Sequence, residues 1–236
     1  MKKQIPNIIT LLNLFSGCIA IVMAFNGNFL AVVIWVIVAA IFDFFDGFAA
    51  RALGVSSKLG VELDSLADVV SFGVAPAAAV FVMLKQFTLY PDFLLPAKEI
   101  IPYSAFLISV FSAYRLAKFN IDTRQTTSFL GLPTPANGLF WITYVYGTHL
   151  LSNINEFYLY LTIGFILILS LLMVSEIPMF SLKIKNLKLK GNEKQLLLIV
   201  LMIVFVLLWK IIGIAWGILG YIAISIATLK KKKSIR

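Results

Sequence analysis

Four aspartates lie close together between Asp43 and Asp68, in a run that reads D-F-F-D-G-F-A-A-R, eight further residues, then G-V-E-L-D-S-L-A-D. Asp43 and Asp46 are three residues apart and Asp64 and Asp68 four apart, so each pair shares one face of a helix. Two such helices facing each other form an oxygen-rich clamp suited to hard divalent cations such as Mg²⁺ or Mn²⁺. Carboxylates beside membrane-length apolar segments are costly and are retained where they bind ions or do chemistry. The competing account is a buried ion-pair network. Arg51 and Lys58 can neutralise two of the four aspartates, and the remainder would repel one another or take up protons. Gly47, Ala50 and Gly60 are small residues beside the carboxylates that leave room for a ligand against the backbone. Arg51, Ser57 and Lys58 can pair with or hydrogen-bond phosphate oxygens.

The elements that carry these residues are apolar. The chain has 236 residues, of which 61% are hydrophobic and 13% charged, against about 25% charged in soluble domains. This composition predicts an all-α polytopic integral membrane protein. Apolar runs near 8–25, 29–50, 69–84, 100–117, 136–151, 157–175, 195–209 and 211–229 give about eight transmembrane helices. Several of these runs are shorter than the ~20 residues that usually cross the hydrocarbon core. With eight spans, 17 of the 20 Lys and Arg residues fall on one side: Lys2, Lys3, Arg51, Lys58, Arg115, Lys118, Arg124, Lys183, Lys185, Lys188, Lys190, Lys194, Lys230 to Lys233 and Arg236. The positive-inside rule makes that side cytoplasmic, with both termini on it. Asp43 precedes Arg51 by eight residues, or about 12 Å of helix, which sets the clamp just below the headgroups.

The first apolar segment is expected to stay in place as a span, since no small-residue cleavage site follows Phe25. Cys18 lies in an apolar run and reads as a small buried residue, which excludes an internal disulfide and a thiolate metal site. His149 reads as a helix-end residue. The basic excess sets topology and meets anionic headgroups rather than nucleic acid. The chain divides into a six-helix body over 1–182, a basic cytoplasmic loop over 183–195, and a two-helix hairpin with a basic tail over 196–236, the hairpin read as packing or dimer surface.

The pattern D-x2-D-G-x2-A-R-x8-G-x3-D-x3-D, met at every fixed position from Asp43 to Asp68, resembles the signature of the CDP-alcohol phosphotransferase family. The resemblance implies an enzyme of phospholipid biosynthesis. A CDP-linked lipid, diacylglycerol or its archaeal ether analogue, donates its phosphatidyl-type group to a small alcohol, and CMP leaves. It implies that Asp43, Asp46, Asp64 and Asp68 surround two divalent cations, Mg²⁺ or Mn²⁺, and that Asp68 is also the general base. It implies that Gly47, Ala50, Arg51, Ser57 and Gly60 hold the cytidine diphosphate, joined by Asn7 and Thr10, and that the protein is a homodimer. Charge neutralisation and in-line positioning are what phosphoryl transfer requires.

Two stretches resemble the serine-transferring branch of that family: F-S-A-Y-R-L-A-K-F-N, from Phe111 to Asn120, and F-L-G-L-P-T-P-A-N-G, from Phe129 to Gly138. For L-serine as acceptor, Arg115 and then Lys118 are the candidate partners of the carboxylate, and topology alone accounts equally for both cations. Thr134 and Asn137 would meet the ammonium and hydroxyl groups. Ser71 would border the acceptor hydroxyl, and Pro76 would kink the third span and widen the cavity. Glu176 belongs to a third stretch like that branch. A phosphorylated acceptor, glycerol phosphate or inositol phosphate, is the alternative, with Arg115, Lys118 and Arg124 as its basic pocket. A divalent-cation transporter using the four aspartates is a more remote one.

Overall fold

The computed structural model describes residues 4–55, 57–122, 129–151, 156–180 and 192–233, with the side chains of 129 and 228–233 outside that description. Apart from one two-residue strand pair, the described elements are helical. Helix α1 (Gln4–Phe25) buries Pro6, Thr10, Asn13, Ser16, Gly17, Ala20 and Ala24. This narrow stripe of small and polar residues lets α2 (Phe29–Ala52) pack closely along it. The turn between them needs Gly27, at φ +69°, and Asn28, whose side chain accepts from the Ala31 N–H at 3.1 Å to start α2.

Ser57 caps α3 (Lys58–Asp68) by accepting from the Gly60 N–H at 3.0 Å. The helical path then continues through a π-helical segment, Val69–Val74, into α4 (Ala75–Gln86). Pro76 lies in the first turn of α4. A proline removes the donor that would meet the carbonyl four residues earlier, here Phe72, and a π turn accommodates that loss. The segment expected as a span over 69–84 is therefore the second part of one longer helical run, Lys58–Gln86.

Two 3₁₀ turns, Asp92–Ala97 and Ile101–Phe106, lead into α5 (Leu107–Ile121). Strand β1 (Phe129–Leu130) precedes α6 (Thr134–His149) and pairs antiparallel with β2 (Pro178–Met179), which follows α7 (Glu156–Val174). Helices α8 (Glu193–Trp209) and α9 (Gly213–Lys233) form an antiparallel hairpin turned at Lys210–Ile212. A Cβ at Gly217 would collide with Met202, which shows how closely the two helices approach.

Helix α6 is the centre of the bundle. It buries Asn137, Phe140, Trp141, Ile142, Thr143 and Val145 around its whole circumference and packs on α2, α4, the π segment and α9. Phe72, Leu84, Ile108 and Ile166 complete the core around it. Five stretches among the described residues are long and apolar enough to cross a membrane: Gln4–Phe25, Phe29–Ala52, Lys58–Gln86, Glu156–Val174 and Glu193–Ala227, the last being the folded hairpin. The protein is thus an all-α integral membrane protein. Helices α5 and α6, expected as spans, have 15 and 16 residues. Their shortness fits the 3₁₀ entry to α5 and the proline-rich strip before α6. Lys2, Lys3, Arg124, Arg236 and the lysines of the 183–190 run lie outside the described residues.

Candidate active site

Helix α1 packs against both α2 and α3 and brings their acidic faces together at one end of the bundle. Asp43, Asp64 and Asp68 each offer a carboxylate oxygen, and these oxygens lie within 4.8 Å of one another. Asp68 is buried, while Asp43 and Asp64 are half-buried. One oxygen of Asp64, Oδ1, is buried without a hydrogen-bond partner. Three converging carboxylates with an unpartnered oxygen fit a hard divalent cation, whose charge would offset their mutual repulsion in a poorly solvated place.

Asp46 stands beside this trio, lining the same cleft as Asp64. Its Oδ2 accepts the hydroxyl of Thr10 at 2.7 Å, and the pair is buried. Asn13, one turn further along α1, donates its amide to Asp68 Oδ1 at 3.4 Å. Asn7, Thr10 and Asn13 thus present one polar face of α1 to the site. Sequence reasoning singled out Asn7 and Thr10 and missed Asn13, although its threefold spacing after them was a usable signal.

A cleft of about 170 Å³ opens beside the carboxylates, with Asn7, Thr10, Asp46, Gly47, Ala50, Ser57, Gly60 and Asp64 in its walls. Six of the seven residues proposed for the CDP group therefore meet around one cavity. The seventh, Arg51, reaches back over Gly47, where a Cβ would stand 3.3 Å from its Nη1. A Cβ at Gly60 would come within 3.1 Å of Ser57 Oγ and 3.2 Å of Asn7 Oδ1. The two glycines keep the floor of the cleft open for a ligand lying against the backbone.

The residues proposed for the acceptor lie on α5, on α6 and in the π segment. Arg115 is buried, and its Nη1 donates to Thr134 Oγ1 at 3.2 Å. Its guanidinium stands 5.8 Å from the centre of the Phe119 ring, and its Nε has no partner. Arg115 lies within electrostatic reach of Asp68, which joins this pocket to the carboxylates. Asn137 is wholly buried with neither amide atom partnered. Ser112, one turn before Arg115, is also wholly buried with an unpartnered hydroxyl. Buried polar groups left unpaired in this way are costly, and such groups commonly face a ligand or ordered water. Ser112 was not legible as a site residue, since a serine in an apolar helix gives no signal until the helix is rotated into place.

Two other candidates are occupied locally. The Ser71 hydroxyl donates to the Asn13 carbonyl at 3.0 Å, and Ser71 packs against Gly17. Lys118 Nζ reaches the Val174 carbonyl at 3.5 Å, at the C-terminal end of α7. That placement suits a cation beside exposed helix carbonyls.

Residues 3–175 match the sequence profile of the CDP-alcohol phosphatidyltransferase family. A CDP-diacylglycerol–serine O-phosphatidyltransferase of Helicobacter pylori (strain J99) is 37% identical over 209 residues, covering 85% of this chain and 81% of the relative. The protein of the same name from Methanocaldococcus jannaschii is 33% identical over 176 residues, covering 73% and 72%. An archaetidylserine synthase of Methanothermobacter thermautotrophicus is 32% identical over 176 residues, covering 73% and 68%. With the acidic signature, the cleft beside it and a profile match spanning most of its length, this chain belongs to the CDP-alcohol phosphatidyltransferase family and is an enzyme of that kind.

Proposed function

We propose that the protein transfers a phosphatidyl-type group from a CDP-linked lipid to the hydroxyl of L-serine, with release of CMP. We further propose that it does so at the cytoplasmic end of an eight-span bundle whose termini are both cytoplasmic. The observation that carries the reading is the meeting, at one end of the fold, of the carboxylate trio, the Gly47–Gly60 cleft and the buried Arg115–Thr134 pair. The names of the relatives, two of them CDP-diacylglycerol–serine O-phosphatidyltransferases and one an archaetidylserine synthase, support serine as the acceptor.

Divalent cations, Mg²⁺ or Mn²⁺, held by Asp43, Asp46, Asp64 and Asp68 would neutralise the charge of the pyrophosphate and of the group in transit. Gly47, Ala50, Ser57 and Gly60 give the nucleotide diphosphate a surface without side-chain obstruction, and Arg51 pairs with its oxygens. Thr10 fixes the carboxylate of Asp46, and Asn13 that of Asp68, so both point into the site without reorganising during the reaction. Arg115 binds the serine carboxylate. Asn137 and Thr134 receive the ammonium and orient the hydroxyl. Asp68 takes the hydroxyl proton as the serine oxygen attacks the lipid-side phosphorus. The bond from that phosphorus to the bridging oxygen breaks, and CMP departs with that oxygen and its electron pair.

The test is CMP release by purified protein supplied with a CDP-lipid, Mg²⁺ or Mn²⁺, and one acceptor at a time, with Asp68→Asn as control. Serine-dependent release that EDTA and Asp68→Asn both abolish is the expected result. Release with glycerol phosphate or inositol phosphate and none with serine would refute the acceptor and leave the reaction class standing.

A further inference from the structure

We propose that Tyr221 of α9, outside the 3–175 body, is a positioning residue for the acceptor pocket, acting through β2 and β1 on Thr134 and Arg115. This rests on the reading of Arg115 as the acceptor's partner.

Arg115 is held from α6 by Thr134, so the place of Thr134 decides where the guanidinium points. Thr134 begins α6 directly after a short strip whose residues 129–132 are fastened to the end of α7 and the segment that follows it. Phe129 and Leu130 pair with Met179 and Pro178. The Gly131 N–H donates to the Ile177 carbonyl at 2.9 Å, and the Leu132 N–H to the Leu172 carbonyl at 3.1 Å. Gly131 has φ +73°, and a Cβ there would run into the Met173 carbonyl, so the strip lies against α7 with no slack. Its first half, Phe129 to Gly131, is paired with the Ile177–Met179 segment, so that segment sets where the strip enters.

Tyr221 fixes that segment from the other side. Its hydroxyl donates to the Phe180 carbonyl at 3.0 Å, one residue beyond β2, and its ring meets the Phe180 ring edge-on with centroids 4.9 Å apart. The residue is 4% exposed, although most of the partner helix α8 is exposed on its outer face. A buried phenol needs a hydrogen-bond partner, and a backbone carbonyl at the end of a two-residue strand is an acceptor the ladder leaves free. Tyr221 also lies within electrostatic reach of Arg115. The path from α9 through Phe180, β2, β1 and Thr134 to Arg115 is contiguous. It makes the hairpin part of the acceptor pocket's frame.

The experiment uses full-length protein and steady-state CMP release, with serine and CDP-lipid varied separately. The wild type must first show serine-dependent release; its absence would overturn the reading on which this proposal rests, before any variant is compared. In Tyr221→Phe the serine KM should rise several-fold, up to about tenfold for one lost hydrogen bond. The CDP-lipid KM and kcat should stay within about twofold. Tyr221→Leu should move the serine KM further in the same direction. The double variant Thr134→Val with Tyr221→Phe should raise it little beyond the larger single effect, since both act on one path. An unchanged serine KM in both Tyr221 variants overturns the proposal. So does a parallel loss in all three constants with a lowered thermal midpoint, which is the signature of packing alone. Full additivity with Thr134→Val would overturn the route through β1.

Discussion

Asp46 and Asp68 are both buried, yet α1 treats them differently. Thr10 gives Asp46 a short hydroxyl bond, whereas Asn13 gives Asp68 a longer amide contact. A hydrogen bond to a charged group contributes about 1.5–3 kcal/mol. Thr10→Val is therefore expected to raise the KM for CDP-lipid by about one to two orders of magnitude, while Thr10→Ser stays near wild type; separate titrations of the two substrates check this. Asp43→Asn and Asp64→Asn should shift half-maximal activity to higher Mg²⁺ concentration, read from a metal titration of each variant. At this scale the sequence was most informative where spacing is local. The i,i+3 and i,i+4 pairs of aspartates, the glycines and Ser57 could be read because helix geometry alone brings them together. Asn13 was readable in the same way, from its spacing after Asn7 and Thr10, and was missed; Ser112 could not be read, because its role depends on how α5 is rotated against the π segment and α6.

The π segment Val69–Val74 is the element on which the two halves of the site meet. A Cβ on Gly17 of α1 would stand 2.8 Å from Ser71 Cα. One on Gly73 would stand 2.9 Å from Ser112 Cβ, and one on Gly138 of α6 would stand 2.9 Å from the Phe72 carbonyl oxygen. The Gly73 carbonyl is met by the Ser109 hydroxyl at 3.3 Å. Backbone lies on backbone at Gly138, so Gly138→Ala should destabilise the protein by about 1–3 kcal/mol through overpacking. Gly164→Ala, where no atom lies within 4 Å, is the matched control and should be neutral or slightly stabilising. Thermal unfolding in detergent compares the two. Hydrophobic runs announced α1, α2, α7 and the hairpin, whose lengths and apolar character suffice. The π turn was foreshadowed only by Pro76. The β1–β2 pair, two residues on each side, was illegible, because so short a ladder is made by its tertiary surroundings rather than by its own propensity.

Over the whole molecule, charge distribution carries the orientation. Lys58 begins α3 beside the carboxylates, and Lys210 turns the α8–α9 hairpin just before the start of α9. If the chain crosses eight times, these two lysines face opposite sides of the bilayer. Cys18, the protein's one cysteine, is exposed on α1 rather than buried as its apolar surroundings suggest, so Cys18→Ser gives a thiol-free background. In sealed right-side-out vesicles, a membrane-impermeant maleimide should label Lys210→Cys at once and Lys58→Cys only after permeabilisation. Labelling of both from one side would remove the eight-span topology. The division of labour at the π segment has a further consequence. On the proposed assignment, donor chemistry falls to the first three helices and acceptor recognition to α5, β1 and α6, with one seam between them. Inheritance can therefore act on the two halves separately: a lineage that rewrites α5 through α6 obtains a different product lipid from the same activated precursor, provided the three glycines at the seam stay small.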